Sequence, residues 1–428
     1  MWLAFLAAVI LLAFVRLLMS GSSQSAFSSC GSSSSQPSTG GGGGGGSAAD
    51  PSLLWATPYV VSSDPDAPFQ TIQAALTQIE ADFPERAVVL IEAGVYAESL
   101  NFTSFGDVEI TLTPLGVTSW GVGVTVEGSL TIAGSGSGTT QFTLDNVSIF
   151  ASGADGATVT ADGVVILEVV GATVQSDQNA VVVNDTTANG GRSIFRALEN
   201  SRITATVGEC LTLTAARVDA RDSIFTASDA GARLVRATTG GTFCSLSFDR
   251  CSFEVANNAA AVPVFDLGNE AELRIRSQHP EVQPALTCGN RTVFNIQESA
   301  TITIEQGTRI EAAPLDADDN AMFFVGGSVA FGTRIVCNNV ALKTNRQVLV
   351  DTGGGFGPIT VELYDSEIQA GAIGNVAPYG LQNTGGAISV NLFWENLRYS
   401  NDSSTDLTYF GPSGWIATPR TNTPTLIP

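Results

Sequence analysis

One pattern recurs along the chain in loose form: a large apolar residue, any residue, Asn or Asp or a stand-in, a small residue, any residue, and a second large apolar residue. It appears as LDNVSI (144–149), LENSRI (198–203), ARDSIF (220–225), FDRCSF (248–253) and LYDSEI (363–368), with WENLRY (394–399) a weaker copy. Asn and Asp suit a sharp bend, because they tolerate the left-handed backbone conformation and can hydrogen-bond their own main chain. The flanking apolar residues would point inward from two strands that meet at the bend. The first four copies start at Leu144, Leu198, Ala220 and Phe248. With two coils in the first gap, the starts imply a coil of about 22 to about 30 residues, which is the spacing of a solenoid. From about residue 86 to 400 the chain consists of short alternating segments separated by Gly, Asn, Asp and Ser, with almost no helical periodicity. That selects an all-β class.

A second stretch, DAPFQTIQAALTQIEADFPERAVVLIEAGVYAESL (66–100), shows how such a stack would begin. Asp66 and Pro68 can open a helix, one as a cap oxygen and the other with its φ already set. Phe69, Ile72, Leu76, Ile79 and Phe83 form one apolar stripe at three- and four-residue spacing. Pro84 stops the helix, and Val88 to Ile91 is an apolar run suited to a buried parallel strand. The helix is expected over the open end of the stack, where unpaired strand edges would otherwise polymerise.

In FQTIQAAL and VVLIEAGVYAESL this stretch resembles the entry of proteins of the pectin-lyase-like superfamily. The resemblance implies a right-handed parallel β-helix solenoid with an N-terminal capping helix. It implies little about activity, because this fold carries enzymes, adhesins and inert shafts alike. Pectin methylesterases carry Gln-Asp-Thr-Leu, Asp-Phe-Ile-Phe-Gly and Arg-Pro-Trp. Here Asp222-Ser223-Ile224-Phe225 is a partial echo of the second, Gln178-Asn179-Ala180-Val181 is a faint echo of an upstream glutamine motif, and the other two motifs are missing. Polygalacturonases need Gly-His-Gly, whereas the single histidine, His279, precedes Pro280. Calcium-dependent pectate lyases need clustered carboxylates and a basic residue, for which Arg217, Asp219 and Arg221 are the nearest set. Should the chain be an enzyme, its candidate catalytic residues are Asp177, Gln178, Arg217, Asp219, Arg221 and Asp222, in a glycan groove near residues 177–222.

Residues 2–19, WLAFLAAVILLAFVRLLM, carry one charge, Arg16. The run is close to the roughly 20 residues that a spanning helix needs, and Arg16 can reach the interface. A membrane anchor is the expectation, with a cleaved signal peptide as the competing reading; no positive n-region or A-x-A site supports cleavage. Residues 20–50 are Ser- and Gly-rich, with seven consecutive glycines at Gly40 to Gly46. They read as a flexible tether with an r.m.s. reach of about 30 Å.

The net charge of −22 comes from 41 acidic and 19 basic residues, and Lys343 is the only lysine. No basic patch with interleaved aromatics exists, which sets nucleic acid aside as a partner. Six cysteines show no C-x-x-C and no histidine partner spacing, which sets a zinc site aside. Cys244 and Cys251 flank the bend at 248 and could pair, but small buried free thiols are the expectation, with no cofactor. Asp316, Asp318 and Asn320 sit in a D-x-D-D-N run that a weak cation site could use. Ala321 and Gly327, however, replace the Gly and Glu that a calcium loop needs. Near the C-terminus, Trp394, Tyr399, Tyr409, Phe410 and Trp415 are concentrated. They suit a lid over the last coil, or else a recognition tip or trimer-forming end.

The expected organisation is an anchor (1–19), a linker (20–50), an N-terminal cap (51–85), a parallel β-helix (86–400) and a C-terminal cap and tail (401–428). The expected function is a membrane-tethered structural or recognition protein of a cell surface, envelope or virion. Its partners would be a membrane through residues 2–19, glycans or a protein shell, and two further copies in a homotrimer. The alternative is a membrane-bound carbohydrate-active enzyme.

Overall fold

The computed structural model describes residues 58–426 apart from 105, 117–122, 187–192, 230, 239–242, 257–261, 269, 279–284, 289–291, 298, 313–321, 327–331, 345–348, 352–358, 371–380, 384–389, 402–415 and 420–424. Contacts divide the chain between Leu53 and Leu54, and every described residue belongs to the second unit. The expected anchor and linker, residues 1–50, lie outside the described residues. Among those described, no helix is long and apolar enough to cross a membrane.

Every strand pairing among the described residues is parallel, and the pairings sort into three ladders. The first runs through Arg86–Ile91, Val108–Pro114, Ile194–Leu198, Arg217–Arg221, Ala271–Gln278 and onward to Ile416–Pro419. A second starts at Gly94–Tyr96 and continues through Thr173–Ser176, Ile224–Ala227 and Glu367–Ala370 to Thr425–Leu426. The third starts at Leu100–Ser104 and continues through Val181–Asp185, Val235–Thr238 and Phe323–Val325 to Leu381–Asn383. The chain visits the ladders in this order on each coil, which makes the second unit a parallel β-helix. One coil separates Arg86 from Glu109, and one coil likewise separates Thr301 from Arg334. The second of these coils is longer in sequence than the expected range, because corner loops vary in length while strand register does not. The ladders also run on past residue 400, and Tyr59–Val61 already pairs with Val89–Ile91, so both expected end regions contribute strands.

The recurrent hexapeptide is the corner between the first and second ladders. Asn146, Asn200, Asp222, Arg250, Asn339, Asp365 and Asn396 all have φ between 47° and 63° there. That left-handed conformation costs an ordinary residue about 1–2 kcal/mol, which is why Asn and Asp dominate. Backbone bonds link the corners from coil to coil: Asn200 N donates to Asp222 O at 2.7 Å, and Asp222 N to Asp249 O at 3.0 Å. Just after the bend a hydroxyl turns inward and returns to a main-chain oxygen, as Ser223 Oγ does to Arg221 O and Ser366 Oγ to Tyr364 O. Cys251 occupies the same slot and donates weakly to Asp249 O. Between the third and first ladders, Leu130–Asp145 and Ala157–Val170 pass the corner as single strands. Glycine is required there: a Cβ on Gly163 would stand 2.6 Å from Gly136 O.

Inside, alternate residues of each strand are buried, giving stacks of like side chains. Phe265, Phe294 and Phe323 stack with centroids 5.2 and 4.9 Å apart. Each such buried ring contributes roughly 1.5–3 kcal/mol from burial alone.

Helix α1 (Ile72–Asp82) is shorter than expected. Thr71 is its N-cap, with Oγ1 accepting the Ala74 N–H at 3.1 Å. Asp66 and Pro68 precede the helix, and Phe69 bridges to Val61 as extended chain. Ile72, Leu76 and Ile79 are buried as expected, but Phe83 is 69% exposed, because the helix ends on it with φ 48°. Two carboxylates and one amide fasten α1 to the first coil. Glu98 accepts Ile72 N and Gln73 N at 2.8 and 2.9 Å, two of the N–H groups a helix start leaves unpaired. Gln73 and Glu80 reach the free edge of Leu100–Ser104, where Glu80 Oε1 accepts Thr103 N at 2.5 Å.

Candidate functional site

The alternation of Arg217–Arg221 puts Arg217, Asp219 and Arg221 together on the outer face of the first ladder, with Val218 and Ala220 inside. Two of the three have a charged neighbour in register, whereas Arg217 lies between Ile194 and Ser245. Asp219 lies beside Arg196, which bonds Glu168 at 3.3 Å, and Arg221 lies beside Asp249 at 3.5 Å. Asp222 stands at the corner, where the Arg250 guanidinium donates to it through Nε at 2.6 Å. Asp177 and Gln178 lie elsewhere, at the far end of a second-ladder strand. Asp177 accepts Gly153 N at 2.7 Å and the Ser152 hydroxyl at 3.3 Å, and Gln178 N donates to Ser176 Oγ. The structure therefore brings Arg217, Asp219 and Arg221 onto one face, and ties Asp177 and Gln178 into a turn at the opposite end of the second ladder from Asp222.

The same arrangement repeats along the solenoid. Arg86–Glu109, Arg274–Glu305, Arg334–Glu362 and Arg398–Glu367 each join one coil to the next, at 2.7 to 3.1 Å. Arg250 and Arg334 have their pKa raised, first by the hydrogen bond to Asp222 and to Glu362 respectively.

One deeply buried charged group was not singled out by sequence. On the third ladder Asp266 is only 6% exposed and accepts Asn295 Nδ2 at 2.8 Å and Gln297 Nε2 at 2.7 Å. Arg233 bridges it to Glu209, with NH1 at 2.8 Å from Glu209 and Nε at 3.6 Å from Asp266. Thr212 completes Glu209, and Arg236 lies 3.8 Å from it. Two arginines thus face two acids across three coils, an ion-pair network in which the buried Arg233 Nε makes no hydrogen bond.

A shallow groove of about 440 Å³ opens where the third ladder turns into the first. Its lining includes Phe243, Glu270, Glu272 and Thr301. Phe243 is 40% exposed and Glu270 holds a φ of 56°, so an aromatic face and two carboxylates face outward together.

Of the C-terminal aromatics, Trp394 packs partly buried against the core, in register with Leu363, and Tyr399 is in register with Ile368. Tyr409, Phe410 and Trp415 lie outside the described residues, as do Asp316, Asp318, Asn320, His279 and Cys30. Cys210, Cys244, Cys251 and Cys337 are free thiols, and these four and Cys288 are buried. Burial pushes the thiols of Cys210, Cys251 and Cys337 up to about 12. Among the described residues no three His, Cys, Asp or Glu side chains gather as a metal-ligand set.

No family model and no curated protein matches the chain. Among solved structures it aligns with a pectin methylesterase from carrot, at 12% identity and a TM-score of 0.27, over 86% of this chain and 90% of that one. The β-helical assignment rests on the strand pairings rather than on this alignment.

Proposed function

We propose that the protein is a β-helical structural or recognition element, tethered to a membrane by residues 2–19 and the Gly/Ser linker, at a cell surface, envelope or virion. The observation that carries this reading is the fate of the outward charges. Arginine after arginine pairs with an acid on the adjacent coil, as Arg274 does with Glu305 and Arg334 with Glu362. Charges committed to neighbouring coils stiffen a shaft, and among the described residues they leave no convergent acid and base for group transfer. Helix α1 serves as the end cap in this account, because Gln73 and Glu80 occupy strand-edge groups that a second chain would otherwise use. Contact with a partner falls to the groove at Phe243, Glu270 and Glu272, and to the aromatic C-terminal region, with a trimer as the assembly that would multiply weak contacts.

The test uses the full chain expressed in membranes, beside a variant lacking residues 2–19. The reading expects membrane association that resists carbonate, is lost in the deletion, and is accompanied by no turnover of methylated or free polyuronides. Turnover abolished by Asp219→Asn or Arg217→Ala would replace it with an enzyme; retention of the deletion variant in membranes would remove the tether.

A further inference from the structure

Two carboxylates on the outer face of the first ladder depart from the pairing that Glu305 and Glu362 follow. Glu272 stands in register between Ser245 and Thr301, so neither adjacent coil sets an arginine directly beside it. The arginines of its row, Arg217 and Arg334, are each one coil further away, and Arg334 is committed to Glu362. Ala271 is buried between two exposed neighbours, so Glu270 and Glu272 project outward together. Neither forms an ion pair with a described arginine, and their like charges repel. Counting back from Ser245, which pairs with Glu272, Phe243 falls beside Glu270 on the same face, with Cys244 turned inward. The surface is concave there because Ala271, Ala300 and Gly332 line it with little or no side chain.

We propose that this groove receives an arginine side chain of a partner protein. The proposal rests on the reading of the chain as a recognition element, and it names the chemistry of the partner. A guanidinium is a planar cation that stacks on an aromatic face while its fork of N–H donors meets carboxylates. Phe243, 40% exposed, supplies that face, and Glu270 and Glu272 supply the acceptors next to it. One cation between the two carboxylates offsets their repulsion, which a neutral sugar does not. A bare metal ion finds too few ligands, since no three His, Cys, Asp or Glu side chains gather among the described residues. At about 440 Å³ the groove lies within the roughly 300–1,000 Å³ of ligand clefts. The net charge of −22 also favours encounter with a basic partner.

The test uses the full chain in detergent and a fluorescent Gly-Arg-Gly-Arg-Gly peptide, with the citrulline peptide as its neutral isostere. Anisotropy should show the arginine peptide binding about tenfold more tightly than the citrulline peptide. Phe243→Ala, and separately Glu270→Gln with Glu272→Gln, should each weaken it several-fold. Glu127→Gln with Asp162→Asn removes the same charge from exposed sites elsewhere and should leave binding unchanged. An equal loss in that control overturns the proposal, as does equal binding of the citrulline peptide or tighter binding of a neutral oligosaccharide. The glutamine pair is isosteric and exposed, so it decides alone if Phe243→Ala fails to fold. A wild type that holds to membranes through carbonate yet binds no arginine peptide sinks this proposal and leaves the tether standing. A chain that washes off but binds the peptide supports the groove and removes the tether.

Discussion

The side-chain amide of Gln73 pairs with the backbone of Asn101 in both directions, donating from Nε2 to O at 3.0 Å and accepting from N at 2.7 Å. A helix side chain here does what a neighbouring strand would do, and Glu80 does the same at Thr103. Replacing both, Gln73→Ala with Glu80→Ala, frees three groups on a strand edge. The double variant should lose about 1–3 kcal/mol and form concentration-dependent end-to-end oligomers, detectable by light scattering after gel filtration. An equally monodisperse variant would show that the edge is protected by something else.

Glu98 holds the start of α1 by accepting two N–H groups at once. Glu98→Gln keeps one acceptor and loses the charge that favours a helix N-terminus, so it should cost about 1 kcal/mol, and Glu98→Ala about 2. Denaturant melts of the two variants give the comparison.

At the corners, backbone conformation sets the tolerance. Asn339 has φ 54° and its N–H reaches Tyr364 O. Asn339→Gly should be close to neutral, while Asn339→Val should cost about 1–3 kcal/mol, since a β-branched residue resists the left-handed region. Equal melting temperatures for the two would contradict the assignment of this corner.

Glu92 lies below its ordinary pKa of 4.5, chiefly through the Ser62 hydroxyl and then the Ser63 N–H and hydroxyl. A depressed carboxylate stabilises the fold above its unfolded pKa, and the contribution disappears as pH falls through the folded value. Wild type should therefore melt above Glu92→Gln at pH 7, with the gap closing below pH 4.5. A gap that is the same at both pH values would assign the effect to packing.

Much of this fold is legible in the sequence, for a physical reason. The corner needs a left-handed residue on each coil, and Asn or Asp at 146, 200, 222, 365 and 396 advertises it. Arg250 meets the same demand without that signature, and only its neighbours in the hexapeptide betray it. Cysteine burial is legible too, but spacing leaves Cys244 and Cys251 able to pair, and only the fold shows both as free thiols. Helix α1 is legible in its buried stripe and not in its ends, because Phe69 is claimed by Val61 and Phe83 by the terminal left-handed turn. The Asp266 network is invisible in sequence. Glu209, Arg233 and Asp266 lie on successive coils joined by loops of unequal length, so no fixed spacing marks them. Grouping Asp177 with Asp222 fails similarly, since sequence motifs do not tell which end of a strand a turn residue occupies.

The claim beneath all of this is that coils stack in strict register. Thr226, Glu254, Thr287, Glu311 and Lys343 stand opposite one another in register along the second ladder. Four strand spacings put Thr226 and Lys343 about 19 Å apart, although they are far apart along the chain. Spin labels at Thr226→Cys and Lys343→Cys, in a Cys30→Ser background with the other thiols buried, measure that distance by dipolar spectroscopy. A narrow distribution centred at about 20 Å is the predicted result. A broad distribution, or one centred beyond about 30 Å, would contradict the stacked solenoid itself.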